Sequence, residues 1–283
     1  MGEPAIQATS EAALARFHAS RAFIFDMDGV LYRGNDPLPG FGSLLDILAR
    51  TGKAAMLATN NSMATPESYT AKLAGMGVAV PPEKILTSGT AMADYLNETL
   101  PEGSGIYLVG MPALGEQIFR ATTLRPVDPA EETPAAVVVG LDLDFTYAKL
   151  HLAMTAIRAG SLFVATNADA TLPTSGGLQP GAGSVLAGII TATGQHPVVI
   201  GKPEPRTLLQ AAELMGAMPS ETVMVGDRLD TDIVAGQRAG MLTALVLTGV
   251  SSPADIITEG IVPDLVFDDL PALERSLLAG TGH

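Results

Sequence analysis

Short apolar runs, each closed by Gly, Pro, Asn or Asp, recur along the chain and alternate with longer segments that carry apolar residues at helical spacing. The first run is Phe23, Ile24 and Phe25, which stops abruptly at Asp26, Met27, Asp28 and Gly29. A run that short, without polar alternation, predicts a strand buried on both faces of a parallel sheet. The same pattern predicts strands at 53–58, 106–109, 135–139, 162–165, 198–200, 222–225, 242–247 and 265–267. Helices are predicted at 11–18, 42–50, 66–76, 89–100, 113–121, 147–159, 184–193, 206–215, 233–239 and 271–278, with a helical turn at 254–259. Ser10 and Ser88 read as N-caps, and Pro205 suits a first helical turn. The stretch 168–183, rich in Gly, Pro, Thr and Ser, reads as a long loop. Strand and helix alternate throughout, which implies an α/β fold with a parallel sheet and right-handed crossovers. The connector PEGSG at 101–105 marks a change of composition of the kind found at domain boundaries.

Composition narrows the classes. The 283 residues suit one or two domains, and 47% hydrophobic residues suffice for a large core. No apolar run approaches the ~18 residues of a membrane span. The N-terminus lacks a basic region followed by an apolar one, so neither a membrane anchor nor a secretory signal is expected. The absence of cysteine excludes disulfides and thiolate zinc sites and fits a cytoplasmic location. A net charge of −14, with 16 Lys and Arg, argues against nucleic acid as a partner. It leaves room for a small anion, which a local cluster of cations and N–H groups can bind. The four histidines form no helical metal-binding pair.

Ligands of open α/β sheets gather beyond the carboxyl ends of the strands. Asp26 and Asp28, two apart on an extended segment, are expected on one side there, each raising the other's pKa. A bound Mg²⁺ would relieve the repulsion. Asp-x-Asp-Gly also opens calcium loops and plain turns, so the pair alone leaves an exposed acidic turn as the alternative. Three further strand ends carry comparable groups: Thr59 with Asn60, Lys202, and Asp227 with Asp232. Singly they read as a cap and turn, a solvated lysine, and an acidic helix start favoured by the helix dipole. Together they suit phosphoryl transfer. Asp26 would be the nucleophile and form an aspartyl-phosphate. Asp28 would protonate the leaving oxygen and then take a proton from water. Mg²⁺ would be held by Asp26, Asp227 and the Asp28 carbonyl. The Thr59 hydroxyl, the Asn60 N–H and Lys202 would bind the phosphoryl oxygens. Asp232 is better placed to anchor Lys202 than to touch the ion.

DMDGVLYRG, ATNNS, GKPEP and VGDRLDTDI stand in an order and spacing that resembles the haloacid dehalogenase superfamily of phosphatases, in its NagD-like or 4-nitrophenylphosphatase-like branch. The resemblance spans nearly the whole chain. It implies a Rossmann-like catalytic core at 1–100 and 197–283 with an inserted α/β cap at 101–196. It also implies Mg²⁺ dependence, a small phosphorylated metabolite as substrate, and a homodimer formed through the cap. The catalytic set Asp26, Asp28, Thr59 and Lys202, the metal ligands Asp26, Asp28 and Asp227, and the phosphate contacts at Asn60 and Asn61 follow from the matched motifs. The cap repeats a Thr-Asn strand end, which adds Asn167 and Asp169 as candidate substrate contacts, and 167–181 corresponds to the family's specificity loop. Members acting on pyridoxal phosphate differ near Leu141 and Leu172, which lowers the expectation for that substrate. The segment 161–195 offers a substrate no obvious cationic partner, which favours neutral, hydroxylated leaving groups such as those of sugar phosphates. Nucleotide and phosphoglycolate hydrolysis are the alternatives within the class, and a non-catalytic phosphate-binding protein is the alternative outside it. Asp142 and Asp144 also follow a strand, but they lack the Gly-Val continuation of Asp26–Val30.

Overall fold

The computed structural model describes residues 10–174 and 177–280, which form two compact units. The first comprises the chain up to Thr59, Thr70–Leu86, and the chain from Lys202 onward. Its six-stranded sheet has the order Leu265–Phe267, Leu242–Val246, Thr222–Gly226, Ala22–Phe25, Ala54–Thr59, Ile85–Thr87. Ala22–Phe25 pairs in parallel with Thr222–Val225 on one side and Ala54–Leu57 on the other, so the strand predicted first lies mid-sheet. Every residue in it is buried because both faces are covered. On one face Phe23 and Phe25 stack at 6.2 Å, and Phe17 of the helix Glu11–Ala19 meets Phe23 edge-on at 5.7 Å. On the other, Ile24 joins Met56, Met224, Leu208 and Ala235. Full burial of one such side chain contributes about 1.5–3 kcal/mol, so the strand anchors the sheet.

The second unit comprises Asn60–Tyr69 and Thr87–Gly201. Its five-stranded parallel sheet has the order Val198–Val199, Leu162–Ala165, Ala136–Val139, Gly105–Val109, Arg125–Pro126. One face buries Val137, Val139 and Phe163 with Ala153 and Ile157 of the helix Tyr147–Arg158 and Leu186 and Ile189 of the helix Ala182–Thr193. The other buries Ile106 and Val138 under Ala91, Met92 and Leu96 of the helix Ser88–Thr99. That helix precedes the PEGSG connector yet packs here, because its apolar stripe faces this sheet. Gln117 ties the segment from Asn60 to Tyr69 into the same unit, bonding Thr87 and donating to the carbonyls of Ser62 and Ala64 at 3.4 Å each.

Two local expectations are corrected. The stretch 168–183 is not an unstructured loop: Thr171–Thr174 and Gly177–Pro180 pair as an antiparallel hairpin. Residues 175–176 at its tip lie outside the described residues. The cap of the helix Ser88–Thr99 is Thr87, not Ser88, with the Thr87 hydroxyl accepting from Thr90 N–H and Thr90 answering. Among the described residues no helix is long and apolar enough to cross a membrane.

Candidate active site

Asp26 continues the sheet ladder for one residue, its N–H donating to Val225 O at 2.9 Å, so its carboxylate is fixed at the carboxyl edge. The chain then turns. Leu31 N–H donates to Met27 O at 2.9 Å and Gly29 N–H to Tyr32 O at 2.8 Å. Gly29 takes φ +82°, where a side chain would be strained. This turn carries the half-buried Asp28 off the line of the strand. Asp26 also takes part in a wider grouping: Asp26, Asp227 and Asp232 each offer a carboxylate oxygen within 4.8 Å of the others. Burial pushes the Asp26 carboxyl well above its ordinary range; Lys202 opposes this, while Asp232 and Asp227 add to it. Burial also raises Asp28, and Lys72 opposes it.

Lys202 is 2% exposed, which rules out a solvated loop lysine. Its Nζ donates to Asp26 Oδ1 at 2.5 Å, Asp232 Oδ1 at 2.6 Å and Ala58 O at 3.1 Å. Burial alone would lower its pKa, but the charges of Asp232 and Asp26 outweigh it and the ammonium is held protonated. Asp232 sits in the widened turn Leu229–Ile233 that opens the helix Val234–Ala239. Its Oδ2 accepts the N–H of Asp227 at 3.2 Å and of Arg228 at 3.1 Å, so both of its oxygens are engaged.

Asp227 follows the strand Thr222–Gly226. Its Oδ2 accepts Val250 N–H at 2.8 Å, and its Oδ1 is buried without a hydrogen-bond partner. Burial, then the charge of Asp232, raises its pKa to about 7 against the Val250 hydrogen bond. The backbone closes tightly round this carboxylate: a Cβ on Gly249 would lie 1.8 Å from Oδ2, and one on Gly29 2.4 Å. A buried carboxylate oxygen with no donor, beside two further carboxylates, fits a hard divalent cation.

Thr59 is buried at the end of the strand Ala54–Thr59. Asn60 belongs to the second unit, where its carbonyl accepts Ser88 Oγ at 2.6 Å and Asn167 Nδ2 at 2.9 Å, and its Nδ2 donates to Asp169 Oδ2 at 3.2 Å. Asn167 and Asp169 are thus gathered on Asn60. The Asn61 side chain closes a turn by accepting Met63 N–H at 2.8 Å. Asp142 is buried against Lys149 at 2.7 Å and accepts Asp144 N–H at 2.9 Å, a local structural turn. Sequence reasoning missed Gly249 and Val250, although LTGVSS follows a predicted strand and its glycine was a signal. It also missed Lys72, which lies in the last turn of a helix and carries none.

A family model described as haloacid dehalogenase-like hydrolase matches residues 23–121, and a HAD-hydrolase-like model matches 199–273. An acid sugar phosphatase of Staphylococcus aureus is 39% identical over 250 residues, covering 88% of this chain and 95% of that protein. A 4-nitrophenylphosphatase of Thermotoga maritima superposes with a TM-score of 0.87 at 35% identity, over 93% of this chain and 99% of that one. A glycerol phosphate phosphatase of Mycobacterium tuberculosis, solved in complex with magnesium, gives 0.83 at 35% identity, over 92% of this chain and 78% of that one.

Proposed function

We propose, for a chain that belongs to the haloacid dehalogenase-like hydrolases and is a phosphatase of that family, that it hydrolyses a small sugar-phosphate-like monoester through Asp26. The Asp26 carboxylate attacks phosphorus, the bond from phosphorus to the leaving oxygen breaks, and Asp28 gives that oxygen a proton. Water then attacks the aspartyl-phosphate, Asp28 takes its proton, and inorganic phosphate leaves with Asp26 restored. Lys202 orients Asp26 from 2.5 Å and offsets phosphoryl charge, and Asp232 anchors Lys202 from the other side. Thr59 and the Asn60 and Asn61 backbone are the remaining phosphoryl contacts, with Asn167 and Asp169 shaping Asn60. Asp26, Asp227 and the Asp28 carbonyl would hold Mg²⁺, which when bound supplies Lewis-acid neutralisation of the phosphoryl oxygens.

The observation that carries this is Lys202, buried and charged between Asp26 and Asp232 beside the unpartnered oxygen of Asp227. The names of the relatives support the substrate class, and the second unit fits the part of a cap that selects it. Self-association through that unit belongs to the same proposal: Leu143, Tyr147 and Leu178 there are 64%, 84% and 72% exposed, apolar area that a second copy would cover. The test is turnover of p-nitrophenyl phosphate and a panel of phosphorylated metabolites with and without Mg²⁺. Asp26→Asn is expected to lose at least about a thousandfold in kcat with an unchanged circular dichroism spectrum. Equal activity in that variant would remove the mechanism. No turnover by the wild type would favour a phosphate-binding protein instead.

A further inference from the structure

Lys72 lies in the last turn of the helix Pro66–Gly75, in the part of the chain that packs with the first unit. Its Nζ is 3.7 Å from the centroid of the Tyr32 ring, and Tyr32 is fully buried. Tyr32 is also a member of the acidic turn: it bridges Asp28, and its carbonyl accepts Gly29 N–H at 2.8 Å. The ammonium is therefore seated against a residue of the segment that carries Asp28. Burial lowers the pKa of Lys72, and the charge of Asp28 opposes this, so the two groups sense each other. Among the described residues Lys72 forms no salt bridge. An aromatic face holds a cation by its quadrupole, and an ammonium seated on one side of a ring keeps N–H donors on its other side. The donors of Lys72 thus remain available to a ligand that comes to Asp28.

Resting on the phosphatase reading, in which Asp28 protonates the leaving oxygen, we infer that Lys72 is a leaving-group residue: it hydrogen-bonds the departing oxygen or a hydroxyl beside it, and so favours alkyl and polyol phosphates. The cation missing from 161–195 is supplied by the core instead. A donor at this place matters most when the leaving oxygen is a poor anion, as an alkoxide is, and little when it is a nitrophenolate.

The experiment compares kcat/KM, which reports the step in which the leaving group departs, for glycerol 3-phosphate and p-nitrophenyl phosphate with Mg²⁺ in wild type, Lys72→Met and Lys72→Arg. Lys72→Met is expected to lose about ten- to a hundredfold on glycerol 3-phosphate and to stay within about twofold on p-nitrophenyl phosphate. Lys72→Arg, which keeps a cation able to stack on Tyr32, should recover most of the loss. Equal losses on both substrates would mark a structural role and overturn the inference, as would no loss on either. Wild-type protein inactive on both substrates would overturn the phosphatase reading itself, a result visible before any variant is made.

Discussion

Asp232 shows how much of a site can rest on a side chain whose two oxygens are both engaged within the chain. One oxygen holds Lys202 and the other holds the N–H groups of Asp227 and Arg228. Asp232→Ala leaves a buried ammonium with Asp26 as its remaining carboxylate and strands two N–H groups. The expected loss is about 3–5 kcal/mol in urea unfolding, with kcat falling because Lys202 no longer holds Asp26 in place. At this scale the chain's own motifs made Asp26, Lys202 and Asp227 legible, since each ends or follows a short apolar run. Asp26 and Asp227 were expected on one ion and Asp232 against Lys202; that Asp232 also brings a carboxylate oxygen within 4.8 Å of the other two was not legible. Period-two alternation placed Asp26 and Asp28 on one side of the strand end, and the turn that begins at Met27 leaves no trace in that spacing, while Asp227 and Asp232 arrive from beyond a strand two hundred positions on. Lys72 was hidden for a different reason: a lysine on an amphipathic helix gives the same pattern whether it faces water or an aromatic ring.

At the scale of elements, the buried strands could be read because they are continuous apolar runs, and the helices because their spacing repeats. The hairpin Thr171–Thr174 with Gly177–Pro180 could not, since Pro and Gly are the residues that otherwise mark loops. The turn after Leu242–Val246 offered only its glycine as a signal, although it forms one wall of the site. Val250 N–H fixes Asp227, and Gly249 lies so close that a Cβ would meet Oδ2 at 1.8 Å. Gly249→Ala must therefore displace the Asp227 carboxylate or the turn itself. Mg²⁺ affinity measured by isothermal titration calorimetry should fall by at least about tenfold, as expected when the support of a metal ligand is disturbed. An unchanged affinity would remove Asp227 from the ligand set.

At the scale of the whole molecule, the raised carboxylates make stability depend on pH and on the cation together. Asp227 titrates near 7 in the folded chain and near 3.8 in the unfolded one, so between those values the folded state binds more protons. Stability of the metal-free protein must then fall as pH rises through that window. Asp26 shifts in the same direction, while the raised Lys202 titrates above the window. Mg²⁺ takes the place of the proton, so the rise in melting temperature with saturating Mg²⁺ should be larger at pH 8 than at pH 5. An equal rise at both would contradict the site. The charge carried by this cluster has a last consequence. With all three carboxylates ionised, one ammonium leaves two negative charges in a buried place. A phosphate dianion is unwelcome there alone, and a divalent cation is welcome. By thermodynamic reciprocity each ligand must tighten the other by the same factor. With a divalent cation bound as proposed, product and metal would be cooperative, and the metal would be held hardest at the moment the product has yet to leave.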